Sequence, residues 1–396
     1  MAVTEYETQR LTLTSLWTDI RYRSITMQVL VLAGLFATVF FLVSNAIDNL
    51  AALDKDVGFD FLSQPAGYDI NQPLINYTSR STHARAAVVG VLNTFLVAGV
   101  GIFIATIFGF LLGIARLSHN WLVNRIAYVY LEFVRNVPVL VHILLVHGVI
   151  VTTLPVARQA INFGDIAFLS NRGFNLPRPI PEDGFSLVLI AIAIGIAFTV
   201  WFAKWAHKVQ DQTGKIYPVF WIGVAAVVGF PVLVFLVLGM PLSFDYPALK
   251  GFNFKGGFVI RPEFAALTLA LSMYTAAFIG EIVRAGITAI SHGQTEASYA
   301  LGLRPGRTLR LIIIPQALRV IVPPLTSQYL NLTKNSSLAI AIGYMDIVAT
   351  IGGITLNQTG RELECMAIVM GIYLVLSLLI SAFMNWYNRR IALVER

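Results

Sequence analysis

A few side chains that could bind a charged or polar molecule interrupt the long apolar stretches of this 396-residue sequence. Lys334, Asn335, Ser336 and Ser337 fall near the middle of one stretch, and Glu281 stands at the end of another. Hydroxyl and amide groups at such a place could bind a carboxylate and an ammonium group, and Glu281 could bind an ammonium group alone. Because an ionisable side chain is costly in hydrocarbon, these positions are candidates for a substrate pathway.

Each candidate also has a structural interpretation, which the sequence leaves open. The serines could pack one helix against another, as small polar residues do in membranes. Glu281 could pair with Arg284, which stands three residues further along the same helical face. Tyr274 and Asn93 are weaker candidates for the same pathway.

Cysteine and histidine usage predicts neither a disulfide framework nor a metal site. Cys365 is the single cysteine, so it cannot form an internal disulfide. His142 and His147 are five residues apart, and no third ligand is apparent in the sequence.

The composition indicates the class of protein. Hydrophobic residues make up 57% of the chain and charged residues 12%, against roughly 45–50% and roughly 25% in soluble domains. A soluble globule of this composition could not cover its core with polar surface, which argues against a soluble enzyme. The net charge of +7 is more typical of basic cytoplasmic loops than of nucleic-acid binding. We therefore expect a polytopic membrane protein.

Eight continuous apolar runs are long enough to cross a bilayer, which takes about 20 helical residues. An all-α fold with about eight transmembrane helices follows, and Pro323 with Pro324 is expected to break the seventh run early. The first run could be a cleaved signal peptide, but its length favours a retained signal anchor. The runs cover residues 25–46, 88–114, 126–153, 186–203, 216–238, 264–282, a part of 321–351, and 366–386.

The distribution of charge predicts the orientation. If the N-terminus is cytoplasmic, the inside segments hold 16 Lys and Arg against 6 Asp and Glu, and the outside segments hold 10 against 12. Basic residues concentrate on the cytoplasmic side of membrane proteins. With an even number of spans, both termini are then expected to be cytoplasmic.

Three outside segments, residues 48–86, 154–185 and 240–263, are too long for tight connections and are rich in aromatic residues. They could pack over the helix ends. Alternatively they could form a docking surface for a protein outside the membrane, since interfaces favour aromatic residues and Arg.

The inside segment of residues 284–320 has the pattern of a helix, a turn and a second helix. Ser291 and Gln294 have the spacing of a capping box, which predicts a helix start. The helix-compatible run extends to Leu303 and is broken at Gly302, Pro305 and Gly306, and a second helix is expected from Arg307 to Val320. An ordered loop of this size should contact either its own helix bundle or another protein.

A motif within that loop resembles the EAA loop of the membrane subunits of binding-protein-dependent ABC importers. The family pattern is E-A-A, three residues, G, nine residues, I, one residue, L-P. The chain matches it strictly at Glu296, Ala297, Gly302, Ile312 and Pro315, whereas Ser298 and Ile314 are conservative replacements. The resemblance implies that Glu296, Ala297, Ser298, Gly302, Leu303 and Pro315 contact an ATPase subunit. An amphipathic helix resting on lipid headgroups is the alternative, but the segment has no basic fringe before Arg304.

The resemblance extends over residues 88–150 and 264–388, and it is strongest to the polar amino-acid branch, in particular to Q-type membrane subunits of general L-amino acid transporters. It implies a five-helix type I importer core in residues 88–388, which includes the coupling loop at about 290–320. A first helix and outside loop in residues 1–87, an inserted helix pair at about 186–240 and a cytoplasmic tail at 389–396 complete the predicted organisation.

By this resemblance the chain is a non-catalytic permease subunit that forms half of an amino-acid pathway in a bacterial inner membrane. The implied partners are a second permease subunit, a cytoplasmic ATPase dimer and a periplasmic solute-binding protein, with membrane lipid around the helices and no nucleic acid. The sequence contains no G-x-x-x-x-G-K-[ST] loop, so ATP and Mg are expected on the partner ATPase.

Two other classes of function remain as rivals. A channel or secondary transporter could use Glu281, Lys334 or Asp346 as an ion site, but this hypothesis leaves the ordered inside loop unexplained. A membrane-embedded enzyme would need a nucleophile, a base and an orienting group, and no such set can be named in this sequence.

Overall fold

A computed structural model describes residues 20–52 and 58–391 of the chain, and their structure is mainly helical. Two further helical forms join the α-helices: π-helical turns at Ala225–Gly229, Leu309–Ile313 and Val348–Thr355, and 3₁₀-helices at Asp60–Ser63, Ala157–Gln159 and Ser336–Ile342. The last of these, Ser336–Ile342, is called the 3₁₀-helix below. The α-helices are α1 (Ile20–Ala51), α2 (His83–Arg116), α3 (Trp121–Asn136), α4 (Val139–Thr153), α5 (Phe185–Thr213), α6 (Val219–Val224), α7 (Phe230–Val237), α8 (Pro262–Thr288), α9 (His292–Ala300), α10 (Pro305–Thr308), α11 (Ile314–Asn335), α12 (Leu356–Thr359) and α13 (Glu362–Ile391).

The expected polytopic helical fold is confirmed. Within the described ranges, seven helices are long and apolar enough to cross a membrane, and α3 with α4 makes an eighth if the pair is one bent span. The run at 126–153, expected as one helix, bends by 108° between Asn136 and Val139. Pro138 causes this bend because it has no N–H to donate and disfavours the helical conformation of the residue before it.

The chain divides into two compact units, which we describe separately. The larger unit runs from Val91 to Ala349 and takes up again from Leu376. The most buried of its long apolar helices is α8, in which 67% of the most apolar 18-residue stretch is buried. Helix α8 packs against α3, α4, α11 and the 3₁₀-helix.

Helix α2 approaches α8 closely because glycines face it. A Cβ atom at Gly113 would lie 2.6 Å from the Val283 side chain, and one at Gly109 would collide with Ile279. Small residues of this kind let membrane helices pack backbone to backbone. Nearby, the Ser272 hydroxyl donates to the Gly101 carbonyl at 3.2 Å.

The expectation that Pro323 and Pro324 break the seventh run was wrong. Both lie inside α11, which continues to Asn335. Freed backbone groups in a membrane helix can be satisfied by neighbouring helices and local adjustment, so tertiary packing outweighs the local preference. The α-helix ends instead at the polar turn, where the 3₁₀-helix begins at Ser336.

Short strands form in residues 154–185 and 240–263, two of the segments that the sequence predicts as long outside loops without strands. Strands β1 to β3 pair with β8 in one antiparallel sheet of order β1-β2-β3-β8, while β4 pairs with β5 and β6 with β7. The pairings β3–β8 and β4–β5 join the segment before α5 to the segment after α7. The strands are β1 (Ile161–Phe163), β2 (Ala167–Ser170), β3 (Gly173–Leu176), β4 (Arg178–Pro181), β5 (Leu242–Asp245), β6 (Ala248–Lys250), β7 (Asn253–Lys255) and β8 (Phe258–Ile260).

The smaller unit comprises the described residues up to Gly90 together with Thr350–Val375. Its segment of residues 58–82 is held by hydrogen bonds: the Tyr68 hydroxyl lies 3.0 Å from the Thr355 hydroxyl, and the Tyr77 hydroxyl donates to the Tyr68 carbonyl at 2.9 Å. Burial raises the pKa of Tyr68, and burial likewise raises the pKa of Tyr77 to about 12. Both tyrosines therefore contribute to loop packing, while Phe59 keeps 53% of its surface exposed.

Candidate coupling loop and translocation site

Helix α9 follows α8 after a short turn and is capped at both ends. It begins after Ser291, whose hydroxyl accepts from the Gly293 amide at 3.3 Å, which confirms the predicted helix start. At the other end, the Leu303 amide donates to the Ser298 carbonyl at 3.0 Å and the Gly302 amide to the Tyr299 carbonyl at 2.9 Å. This is a Schellman motif, and Gly302 supplies its left-handed position with φ of +75°.

Two side-chain contacts tie α9 to the helix that follows it. The Ser298 hydroxyl lies 3.0 Å from the Thr308 hydroxyl, and Ser298 is 1% exposed. Gln316 at the start of α11 donates to Gln294 on α9 at 3.3 Å. Residues 291–316 therefore form one ordered unit, which we call the coupling loop after the role that the resemblance implies for it.

The coupling loop exposes most of the motif residues. Glu296, Ala297, Gly302 and Pro315 are exposed, Leu303 is half-buried, and only Ser298 faces inward. Apolar side chains are exposed beside them: Leu301 is 81% exposed and Tyr299 48%. Exposed apolar side chains on a short, doubly capped helix suit a contact with another protein.

A cleft of about 390 Å³ lies under α9. Its walls come from the end of α8, from α9 itself and from the helix that starts at α10. It is lined by residues including Ile287, Ile290, Thr295, Tyr299, Leu309 and Ile313.

The pathway candidates on α8 have protein partners. Tyr274 contacts the ring of His142 with centroids 5.7 Å apart and that of Phe278 at 5.1 Å. The Glu281 carboxylate accepts from the Arg284 guanidinium, with both oxygens 3.1 Å from Nε. Glu281 thus makes the ion pair that the sequence offered as its structural interpretation.

The residues of the polar turn after α11 differ in how far they are exposed. Ser336 has no exposed surface and donates to the Thr333 carbonyl at 2.7 Å, whereas Ser337 is partly exposed and donates to the Lys334 carbonyl at 2.7 Å. Asn335 is half-buried. The 3₁₀-helix that starts here packs against α4 and α8, which brings the turn next to the helix that carries Tyr274 and Glu281.

Two other polar residues from the sequence have structural contacts. Asn93, 1% exposed, donates to the Met345 carbonyl at 2.8 Å and accepts at its own carbonyl from the Tyr344 hydroxyl at 2.9 Å. Asp346 is fully buried and accepts from the Ala349 amide at 2.8 Å, as a helix cap does.

Sequence reasoning missed two residues of this region. Thr308 holds the inner face of α9, although it lies outside the motif. From the sequence, His142 was considered only as a metal ligand together with His147, but in the structure its ring contacts Tyr274 on α8. The spacing of two histidines along one helix carries no information about contacts with another helix.

Comparison with known proteins places the chain among transport subunits. The model of a family described as "Binding-protein-dependent transport system inner membrane component" matches residues 195–393. The chain is 50% identical over 378 residues to the general L-amino acid transport system permease protein AapQ of Rhizobium johnstonii, covering 96% of this chain and 94% of that protein.

Two further relatives match over nearly their whole length. The glutamate/glutamine/aspartate/asparagine transport system permease protein BztB of Rhodobacter capsulatus is 48% identical over 409 residues, covering 96% of each chain. The putative amino-acid ABC transporter permease protein YhdX of Escherichia coli is 47% identical over 369 residues, covering 93% of this chain and 94% of that protein. A crystal structure described as an amino acid ABC transporter with histidines matches with a TM-score of 0.46 at 20% identity, covering 78% of this chain and 95% of that one.

Proposed function

The chain belongs to the family of binding-protein-dependent transport system inner membrane components and is a membrane permease subunit, and we propose that it imports amino acids with energy supplied through the coupling loop. Full-length relatives named as amino-acid permeases support the choice of cargo. The one structural observation that carries the coupling proposal is the coupling loop itself, which is ordered internally yet exposes Glu296, Ala297 and Leu301.

Coupling of ATP hydrolysis to transport requires a segment that transmits a displacement of the ATPase subunit without unfolding. The Schellman cap at Gly302 and the contact of Ser298 with Thr308 fix α9 from its end and from its inner face. Along the chain, α9 lies between α8 and α10, and α10 continues through a π-helical turn into α11. A displacement of α9 would therefore be passed to α8 and α11, which is how ATP-driven closure of a partner would open or close the pathway.

We place the pathway beside α8, at the polar turn of residues 335–337. Non-helical backbone at membrane depth is tolerated where it lines a cavity or is buried in protein. Asn335 and Ser337 are the more accessible members of the turn and would bind the cargo, while Ser336 supports the backbone from within. Tyr274 would contribute a wall, and Glu281 would act through its pair with Arg284.

The other functions of the transporter would be supplied by partner proteins. A second permease subunit would supply the other half of the pathway, and a cytoplasmic ATPase dimer would bind ATP and Mg. A solute-binding protein would deliver the cargo on the outside. With α9 on the cytoplasmic face of the bacterial inner membrane, both termini would be cytoplasmic, in agreement with the basic excess on that side.

Uptake of radiolabelled amino acids into proteoliposomes tests this function. The vesicles contain the chain with its co-expressed partner subunits, and the binding protein is added outside. We expect uptake only with ATP at the ATPase and none from an ion gradient alone. Gradient-driven uptake without the ATPase would instead support a secondary transporter. Two of the three ion sites that such a mechanism could use have structural roles, since Glu281 is paired with Arg284 and Asp346 caps a helix, whereas Lys334 is exposed.

A further inference from the structure

A polar cavity of about 580 Å³ lies at the end of α8 opposite the coupling loop. At 1.5 Å per residue, a helix of 27 residues separates the two by about 40 Å. The cavity is lined by α4, the start of α8, the strands β3, β7 and β8 and the turn before β3, and its volume is in the range typical of small-molecule sites. Its polar lining residues are His147, Asn171, Arg172, Asn175, Asn253, Arg261 and Glu263.

Register and backbone geometry hold the strand side of the cavity in place. Asn175 on β3 pairs with Val259 on β8, and its side chain is 7% exposed. Gly173 has φ of +121°, and a Cβ atom there would collide with the Ile260 carbonyl, so only glycine lets the two strands approach. Arg172 is fixed by a hydrogen bond from Nη1 to the Phe252 carbonyl at 3.0 Å.

The charged groups in the cavity are incompletely satisfied. Arg261 Nε, Glu263 Oε2 and Asn171 Oδ1 are buried and have no hydrogen-bond partner among residues 20–52 and 58–391. Buried polar atoms in native proteins are nearly always paired with protein, water or a ligand. One of these atoms is a cationic donor, and the other two are acceptors.

We propose that this cavity binds the α-carboxylate and α-ammonium groups of a free amino acid. A guanidinium is well suited to a carboxylate, and a carboxylate with an amide oxygen is suited to an ammonium group. Arg261 and Glu263 line the same cavity at the start of α8, so one small zwitterion bound there would satisfy both. A simple anion would leave the Glu263 and Asn171 oxygens unpaired, and a simple cation would leave Arg261 unpaired.

The inference rests on the proposed function and deepens it. Cargo released by the binding protein would first be held at this outer site, which the strand-bearing segments around α5 to α7 help to build. This gives a role to the strands that pair the two inserted segments with each other. The outer site is separate from the polar turn at residues 335–337.

Equilibrium binding to the purified complete complex tests the proposal, in detergent and without ATP or binding protein. The probes are radiolabelled L-glutamine and L-glutamate. Arg261→Gln and Glu263→Gln should each weaken binding at least about tenfold, since charge-assisted hydrogen bonds are the strong ones. The matched controls Arg178→Gln and Glu182→Gln change exposed residues that do not line the cavity, and they should change binding by less than about twofold.

Analogues separate ligand binding from a folding defect. 4-Aminobutanamide lacks the carboxylate of glutamine and glutaramate lacks its ammonium group, and both should compete far more weakly than glutamine in the wild type. In Arg261→Gln the preference for glutamine over 4-aminobutanamide should shrink, while Arg261→Lys should recover part of it. Basal ATP hydrolysis should stay unchanged in the control variants Arg178→Gln and Glu182→Gln.

Two results would overturn the inference while leaving the proposed function intact. One is ATP-driven uptake by a wild-type complex that shows no saturable binding of either probe without the binding protein. The other is wild-type affinity and analogue preference in Arg261→Gln and Glu263→Gln. A wild-type complex that imports no amino acid at all would remove the proposed function, and this inference with it.

Discussion

The hydroxyl groups of Ser298 and Thr308 lie 3.0 Å apart and join the inner face of α9 to the helix that leads into the bundle. The family pattern has alanine at the position of Ser298. The serine hydroxyl therefore adds a contact within the loop that alanine could not make. Its neighbours Glu296, Ala297 and Leu301 are all exposed. One side of α9 therefore stabilises the loop and the other is free for a partner.

Removal of the Ser298–Thr308 contact should loosen the coupling loop. Ser298→Ala and Thr308→Val are each expected to cost about 1 kcal/mol of local stability. Because both remove the same contact, the double variant should cost clearly less than the sum. Hydrogen exchange at the Leu303 amide measures this, and strictly additive effects would mean that the two hydroxyls do not interact.

Gly302 should be intolerant of a side chain for conformational reasons alone. No atom of the described residues lies within 4 Å of a Cβ placed there, so crowding by these residues is not the cause, but φ is +75°. An L-residue in this conformation is strained by roughly 1–2 kcal/mol. We expect Gly302→Ala to lower ATP-driven uptake, Gly302→Asp to abolish it, and Gly302→Asn to retain more than Gly302→Ala because asparagine tolerates the left-handed region.

Gly306 offers the matched control for this prediction. In the part of the chain that the structure describes, a Cβ there also has no neighbour within 4 Å, and the φ of Gly306 is not in the left-handed region. Gly306→Ala should therefore leave uptake unchanged. Equal effects of alanine at both glycines would refute the conformational argument.

Ser336 and Ser337 in the polar turn should have different roles, one in stability and the other in substrate binding. Ser337→Ala removes a partly exposed hydroxyl from the proposed pathway and should raise the half-saturating substrate level about two- to tenfold, since a hydrogen bond contributes roughly 0.5–1.5 kcal/mol. Ser336→Ala removes a buried hydroxyl bonded to Thr333, so it should lower the thermal stability of the complex with little effect on half-saturation. Substrate-stimulated ATP hydrolysis measures the first effect, and a reversed pattern would contradict the assignment.

Glu281 and Arg284 should act as a pair. Both side chains are about one-third exposed, so we expect their contact to contribute no more than about 1 kcal/mol. Glu281→Gln and Arg284→Gln should each reduce the yield of monodisperse complex after mild heating, and the exchange Glu281→Arg with Arg284→Glu should restore it. If the exchange restores the complex but not uptake, Glu281 also serves the pathway; failure to restore either would refute the pairing.

The sequence predicted the elements that depend on local pattern. The helix start at Ser291, the break at Gly302 and the apolar spans rest on capping, glycine and hydropathy, which act over a few residues. The paired strands were not predicted because β3 and β8 are held together across more than 80 residues of chain. The local rule also failed at Pro323, where helix packing maintains α11.

The site residues were predictable in type and less so in orientation. The motif spacing identified Ser298, but only the fold shows that its side chain points inward to Thr308. Similarly, Ser336 and Ser337 are indistinguishable in the sequence, and the change from α-helix to 3₁₀-helix buries one and exposes the other.

Photo-crosslinking from α9 tests the central claim most directly. Cys365 is the single cysteine and is buried, so Cys365→Ala gives a background in which Leu301→Cys can be labelled with a benzophenone maleimide. Leu249→Cys, which is also exposed and lies on strand β6 in a predicted outside segment, is the control. We predict that illumination of the complete complex crosslinks Leu301→Cys to the ATPase subunit and stops ATP-driven uptake, while Leu249→Cys does neither. Crosslinking of Leu301→Cys to lipid alone, with uptake unchanged, would contradict the account.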